Sequence, residues 1–140
     1  MAELERLGDV TIVQVPDVLV ALGAIAAGWR ARFDPLVVGV TGSYAKTSTK
    51  EAIVAVVGAA MPTLRNEGNQ NNEIGLPLTL LRLGPEHTAA VLEMGMYAGG
   101  EIADLARMAK PRIGVVTAVH GVHLSRMGSI AAIEKKLPRR

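Results

Sequence analysis

Cysteine is absent from the 140 residues, which excludes disulfides and thiolate metal sites and leaves the redox compartment open. Aromatic residues are scarce at 3%, and none interleave with the basic residues as a base-stacking platform would require. Neither sign of charge dominates: 15 Lys and Arg face 13 Asp and Glu, a net charge of +2. The pI near 9.2 therefore carries no nucleic-acid footprint. No apolar run approaches the ~20 residues of a membrane span. The opening segment MAELERLGD lacks the charged and apolar regions of a signal peptide. Together these absences predict no nucleic-acid partner, no membrane span and a cytoplasmic location. Internal repeats and low-complexity linkers are also missing.

What is present is an aliphatic chain. Hydrophobic residues make up 49%, drawn from Val, Ile, Leu, Ala and Met, enough to bury a core in one domain or part of a larger one. Strand and helix patterns alternate. Strands are predicted at Val10–Val15, Leu36–Thr41, Pro62–Leu64, Thr88–Met94 and Ile113–Val119. Helices are predicted at Pro16–Phe33, Lys46–Ala60, Ile74–Leu83 and Gly99–Ala109, with a last one starting near Ser129. In the first helix, Val18, Leu22, Ile25 and Trp29 recur on one face. Pro77 falls in the first turn of the third helix, where proline is tolerated. Strands that are apolar throughout, separated by helices, imply an α/β fold: a mainly parallel sheet with helices on both faces. Ligands on such sheets gather at the carboxyl ends of the strands.

The most informative segment is VVGVTGSYAKTSTKE, residues 37–51. A β-branched strand enters a short turn, the turn ends in Lys46-Thr47, and a helix pattern begins. This P-loop type of arrangement binds a nucleoside triphosphate. Backbone N–H groups of Thr41, Gly42, Ser43, Tyr44, Ala45, Lys46, Thr47 and Ser48 would surround phosphate oxygens at the positive end of the helix dipole. Lys46 would neutralise the β- and γ-phosphates, and the Thr47 hydroxyl would reach Mg²⁺. The spacing is unusual. Glycine is expected six residues and one residue before the lysine, where this chain has Val40 and Ala45; its glycines are Gly39 and Gly42.

Other candidate chemistry lies after neighbouring strands. Glu93 ends AAVLE, His120 and His123 follow IGVVTAV, and the loop NEGNQNNE (Asn66–Glu73) follows the short third strand. A lysine, a hydroxyl, a carboxylate and a histidine at adjacent strand ends suit an ATP–metal site, because hard divalent cations take oxygen ligands and bridge phosphates. Each residue type has an ordinary use as well. Lys-Thr can simply begin a helix, a carboxylate can end a strand in solvent, and asparagines serve turns.

Four segments in order, TGSYAKTSTKE, GNQNNEIGLPLTLLRL, AVLEMGMYAGGEIADL and PRIGVVTAVHGVHLSRMGSIAAIEK, resemble consecutive motifs of the Mur ligase family. The likeness covers about residues 10–136. It implies that residues 1–33 are the end of an N-terminal domain with its connecting helix, and residues 34–140 a partial, truncated central ATP-binding domain. It also implies ATP and Mg²⁺ as cofactors. The Asn loop followed by IGLPLTLLRL favours the member whose substrates are a UDP-linked muramoyl peptide and D-alanyl-D-alanine, peptidoglycan precursors joined through an acyl phosphate. Carried over by the resemblance, Lys46 is the phosphate-binding lysine, Thr47 and Glu93 are ligands of a first Mg²⁺, and His123 is a catalytic residue at a second. Asn69, Asn71 and Asn72 belong to a substrate loop.

Departures from the family pattern are specific. Ala45 stands in place of a glycine, and a left-handed backbone there would cost alanine about 1–2 kcal/mol. Ala118 stands where Asn is common. The lysine that becomes carbamoylated in the family falls on Leu137, with Lys136 one residue early, about 100° around a helix. Two readings therefore stand side by side: a portion of an ATP-dependent peptide ligase, or a nucleotide-binding fragment without ligase activity that is open to self-association through uncovered apolar faces. A small unrelated P-loop kinase fits less well, because it would not need the Asn loop.

Overall fold

A computed structural model of the chain describes residues 3–7, 9–96 and 99–119. Its first elements are β1 (Glu3–Leu7), β2 (Val10–Gln14) and α1 (Val18–Arg30). Then follow β3 (Leu36–Thr41), α2 (Lys46–Gly58), β4 (Thr63–Arg65) and α3 (Gly75–Leu80). The last are β5 (Ala89–Glu93), α4 (Glu101–Ala109) and β6 (Ile113–Val116).

β3 is extended because Val37, Val38 and Val40 are stiff at χ1 and fit a pleated surface. It lies inside a four-stranded sheet of order β4-β5-β3-β6 in which every pair is parallel. The pleat sends Val38, Val40 and Val91 to one side, against Ile53 and Val54 of α2. Val37, Ala90, Leu92 and Leu64 share the core on the other side with Leu76 and Leu80 of α3 and Leu105 of α4. Helices thus cover both faces, as the continuous apolar strands predict. α1 packs on α3 and α4 as an outer layer, joined by Ala26 and the Trp29 side chain. Trp29 Nε1 donates to the Leu83 carbonyl at 2.8 Å, and Arg30 Nε donates to the Ala109 carbonyl at 3.0 Å. Burial lowers the Arg30 pKa from its ordinary value, and the Asp34 charge offsets part of that.

Three expectations need correction. The chain opens with an antiparallel hairpin, β1 with β2, that forms a separate two-stranded sheet; the sequence reading contains no strand before Val10. Only half of the α1 face built on Val18, Leu22, Ile25 and Trp29 is packed: Trp29 lies against the core and Leu22 is half-buried. Val18 and Ile25 are 73% and 61% exposed, while Ala26 and Arg30 are buried. α1 is apolar nearly all round, so periodicity could not choose a face; close approach chose it, since a Cβ on Gly23 would sit 3.1 Å from Met108 Cε. The helix starts at Val18 rather than Pro16 because Asp17 Oδ1 caps the N–H groups of Leu19 (2.8 Å) and Val20 (3.0 Å).

Smaller differences are at element ends. α3 stops at Leu80 rather than Leu83, with Pro77 buried in its first turn. β6 stops at Val116 rather than Val119, where Thr117 turns to hold the Thr41 carbonyl. The helix expected near Ser129 lies outside the described residues. Among the described residues, no helix is long and apolar enough to cross a membrane.

Urea unfolding should separate the two sides of this packing. Leu80→Ala is expected to cost about 2–5 kcal/mol, because Leu80 is fully buried between α3 and the sheet. Ile25→Ala should stay within about 0.5 kcal/mol; a larger loss would restore the face that the sequence suggested.

Candidate functional site

Parallel pairing puts Val40 beside Glu93 and Thr41 beside Val116, so three strand ends meet where β3 runs into the phosphate-type turn. The turn is held from both neighbours. Thr41 Oγ1 donates to the Met94 carbonyl at 2.9 Å. On the β6 side, Ser43 N–H donates to the Ala118 carbonyl at 2.8 Å, and Thr117 Oγ1 donates to the Tyr44 carbonyl at 2.6 Å. Gly42 has φ +136°, and a Cβ there would collide with Thr117 Oγ1, so only glycine fits. Ala45 caps α2 in the left-handed region, φ 57° and ψ 16°, the strained state that the missing glycine suggests. Lys46 Nζ donates to the Gly42 carbonyl at 2.9 Å, which lays the ammonium across the turn. The first N–H groups of α2 have no intrahelical acceptor and carry the positive end of its dipole.

Glu93 sits at the centre. Its side chain accepts from Thr47 Oγ1 at 2.8 Å on Oε2 and from Asn71 Nδ2 at 2.7 Å on Oε1. Its backbone is gripped by one carboxamide: Asn66 Oδ1 accepts from Glu93 N–H, and Asn66 Nδ2 donates to the Glu93 carbonyl, both at 2.9 Å. Asn66 Nδ2 also donates to the Gln70 carbonyl at 2.8 Å, closing the loop on itself. Beneath this, Lys50 Nζ donates to the Asn66 carbonyl at 2.7 Å and pairs with Glu51 Oε1 at 3.0 Å. The hydrogen bond from Lys50 holds the Glu51 carboxyl below the usual carboxylate range, helped by the Lys50 and Arg65 charges. A carboxyl lowered on folding stabilises the fold above its unfolded range and loses that effect as acidification passes the folded value.

The candidates divide cleanly. Ser43, Tyr44, Ala45, Lys46, Thr47, Ser48, Asn69, Asn71 and Glu93 line one cleft of about 570 Å³. Thr41 and Gly42 shape the turn beneath it. Asn72 does not face this cleft. Its Oδ1 accepts from Gly75 N–H at 2.9 Å at the start of α3, and it borders a second cavity of about 500 Å³ between α1 and α4. His120, His123 and Lys136 lie outside the described residues. Sequence reasoning assigned no role to Asn66, Lys50 or Thr117. The available signals were the place of Asn66 directly after β4 and the recurrence of lysine four residues after Lys46.

The donor set suits a hard divalent cation. Thr47 hydroxyl and Glu93 carboxylate oxygens converge beside a lysine and a helix start, and all are oxygen donors. Among the described residues no three His, Cys, Asp or Glu side chains cluster. Phosphate and water oxygens would therefore complete the shell, as Mg²⁺ prefers.

The pattern of the Mur ligase middle domain matches residues 40–137, a span that holds the turn, the Asn loop and Glu93. The chain belongs to the Mur ligase family. Similar Mur ligases include the UDP-N-acetylmuramoyl-tripeptide–D-alanyl-D-alanine ligase of Synechocystis sp., 49% identical over 132 residues that make up 93% of this chain and 29% of that protein. The enzyme of the same name from Escherichia coli is 40% identical over 127 residues, 91% of this chain and 28% of that protein. Among solved structures, MurF from Acinetobacter baumannii superposes with a TM-score of 0.86 at 33% identity, over 94% of this chain and 30% of that one. The MurF ligase of Thermotoga maritima, solved in complex with ADP, gives 0.84 at 32% identity over 94% and 31%. The chain thus spans less than a third of the length of these Mur ligases.

Left-handed Ala45 yields a test. Ala45→Gly removes strain of about 1–2 kcal/mol and adds about 0.4–1 kcal/mol of unfolded-state entropy. Net stabilisation of about 0.5–1 kcal/mol in urea unfolding is expected, with ATP affinity equal or higher. A destabilised glycine variant would show that the turn prefers alanine.

Proposed function

We propose that this chain is the phosphate-holding part of an ATP-dependent peptide ligase that adds D-alanyl-D-alanine to UDP-N-acetylmuramoyl-tripeptide in peptidoglycan precursor synthesis. The observation that carries the reading is Glu93 bonded to Thr47 one residue from Lys46, inside a cleft at three strand ends. Relatives named for this reaction, and a related structure holding ADP, support it. Residues 1–33 would be the end of an N-terminal domain and its connecting helix, and 34–140 part of the central ATP-binding domain. A cytoplasmic location follows from substrates of this kind.

In this reading the substrate carboxylate attacks the γ-phosphorus of ATP, giving an acyl phosphate and ADP. The dipeptide amine then displaces phosphate to form the amide. The protein's share is positioning and charge neutralisation. Lys46 swings from the Gly42 carbonyl to the β- and γ-phosphates. α2 presents its first N–H groups to the same oxygens. Thr47 and Glu93 would hold Mg²⁺, which when bound offsets the charge on the phosphates. Asn71 keeps one Glu93 oxygen oriented, and Asn69 borders the nucleotide. His123 would serve at a second Mg²⁺, and Lys136 is out of register for the carbamoylated role there. Asn72 would act toward the acceptor peptide, because it borders the neighbouring cavity.

A second reading is nucleotide binding without ligation by these 140 residues, which span less than a third of the relatives' length. Exposed Val56 on α2 and Ile113 and Val116 on β6 would favour self-association of the 140-residue chain. Calorimetric titration with ATP and Mg²⁺ should give weak, saturable binding that Lys46→Ala reduces about tenfold or more, the worth of a charge-assisted contact. A folded chain that takes up no ATP would overturn both readings. An assay for joining UDP-N-acetylmuramoyl-tripeptide to D-alanyl-D-alanine, with a full-length relative as control, separates them. The 140-residue chain is expected to show no turnover, and a rate within about tenfold of the control would overturn that expectation.

A further inference from the structure

We propose that Lys50 is a positioning residue for the Glu93 carboxylate and acts through Asn66. Lys50 has no exposed surface, although it carries an ammonium on a helix that packs against β3, β4 and β5. An apolar side chain could fill such a place without the cost of burying a charge. What the ammonium does there is hold the Asn66 carbonyl at 2.7 Å, anchored in turn by Glu51.

Asn66 is itself fully buried and stands just past the end of β4, whose pairing with β5 finishes at Arg65 and Val91. Its carboxamide takes over from the ladder and satisfies both backbone polar groups of Glu93. It also ties down the Gln70 carbonyl, immediately before Asn71, the donor to Glu93 Oε1. The other carboxylate oxygen is held by Thr47, which lies on α2 less than one turn before Lys50. Lys50 therefore links both donors to the Glu93 side chain: one through its own helix, the other through the loop it pins. Fixing this carbonyl fixes where the carboxylate points. The functional half of the proposal rests on Glu93 holding the cation, as proposed above; the placement of Glu93 does not.

The test uses the 140-residue chain with Lys50→Met and Lys50→Arg. Amide hydrogen exchange followed by NMR should show the Glu93 amide exchanging about tenfold faster or more in Lys50→Met, with Val38 and Val40 unchanged, and Lys50→Arg restoring most of the protection. Unchanged protection at Glu93, or a uniform loss across all strands, would overturn the positioning role. ATP affinity is then measured with Mg²⁺ and with EDTA. The gain conferred by Mg²⁺ should fall about tenfold in Lys50→Met and return in Lys50→Arg, while affinity in EDTA stays the same. Equal losses with and without Mg²⁺ would overturn the link to the cation. If the wild-type chain binds no ATP in either buffer, the nucleotide reading fails and with it the functional half, while the exchange data still decide whether Lys50 places Glu93. Should Lys50→Met not fold, Asn66→Ser removes the bracket and keeps the backbone carbonyl that Lys50 holds. It should give the same two losses, and a protected Glu93 in that variant would overturn the proposal.

Discussion

Parallel pairing of β3 with β5 sets Val40 beside Glu93, and both strands are buried on both sides. A slip of one residue would turn Val38 and Val40 from the α2 side toward α3 and α4, where Leu76, Leu80 and Leu92 already fill the space. The register is therefore held by packing far from the cleft. Its consequence at the cleft is that the carboxylate of one strand and the turn of the next emerge side by side, close enough for Thr47 to bond Glu93. Core volume and site geometry are two ends of the same constraint.

Around that register the site is built from uncommon backbone and buried polar groups. Gly42 and Ala45 both take positive φ within four residues. The turn tolerates this because the residues just after β6 supply the Ala118 carbonyl and the Thr117 hydroxyl as fixed partners. On the other side, Lys50 and Asn66 are buried with every described side-chain polar atom satisfied. Fully satisfied buried networks rigidify a site, whereas a half-satisfied one would destabilise it. The cleft thus has two stiff walls, one stapled by the residues after β6 and one by the Asn loop.

The Asn loop shows where reading residues in order runs out. Four asparagines occur in seven positions, and turn chemistry alone treats them alike. In the fold they diverge. Asn66 replaces a strand partner, Asn71 bonds the carboxylate, Asn69 lines the cleft and Asn72 caps α3. Which asparagine does which depends on where β4 ends against β5, and nothing local to the loop encodes that. α1 makes the same point by another route. Its apolar residues surround the helix, so its packed side was chosen by small residues that let α4 approach.

Continuous β-branched and aliphatic runs, punctuated by helix patterns, determined the central parallel sheet, because such strands are stable only when covered on both faces. Gly42 with Lys46-Thr47 determined a phosphate-type turn at a strand end, since few other uses place those residue types between a buried strand and a helix. The alanine before the lysine marked where strain would fall if the backbone there were left-handed, and the structure decided that it is, with Ala45 at φ 57°. Only the tertiary structure decided that β1 and β2 form a hairpin of their own, that Ala26 and Arg30 rather than Val18 and Ile25 face inward, and that Asn66 and Lys50 stand behind Glu93. The hairpin pairs residues 3 to 11 positions apart, but the other two depend on contacts between residues 16 to 79 positions apart, and periodicity reports which residues share a face but not what that face will meet.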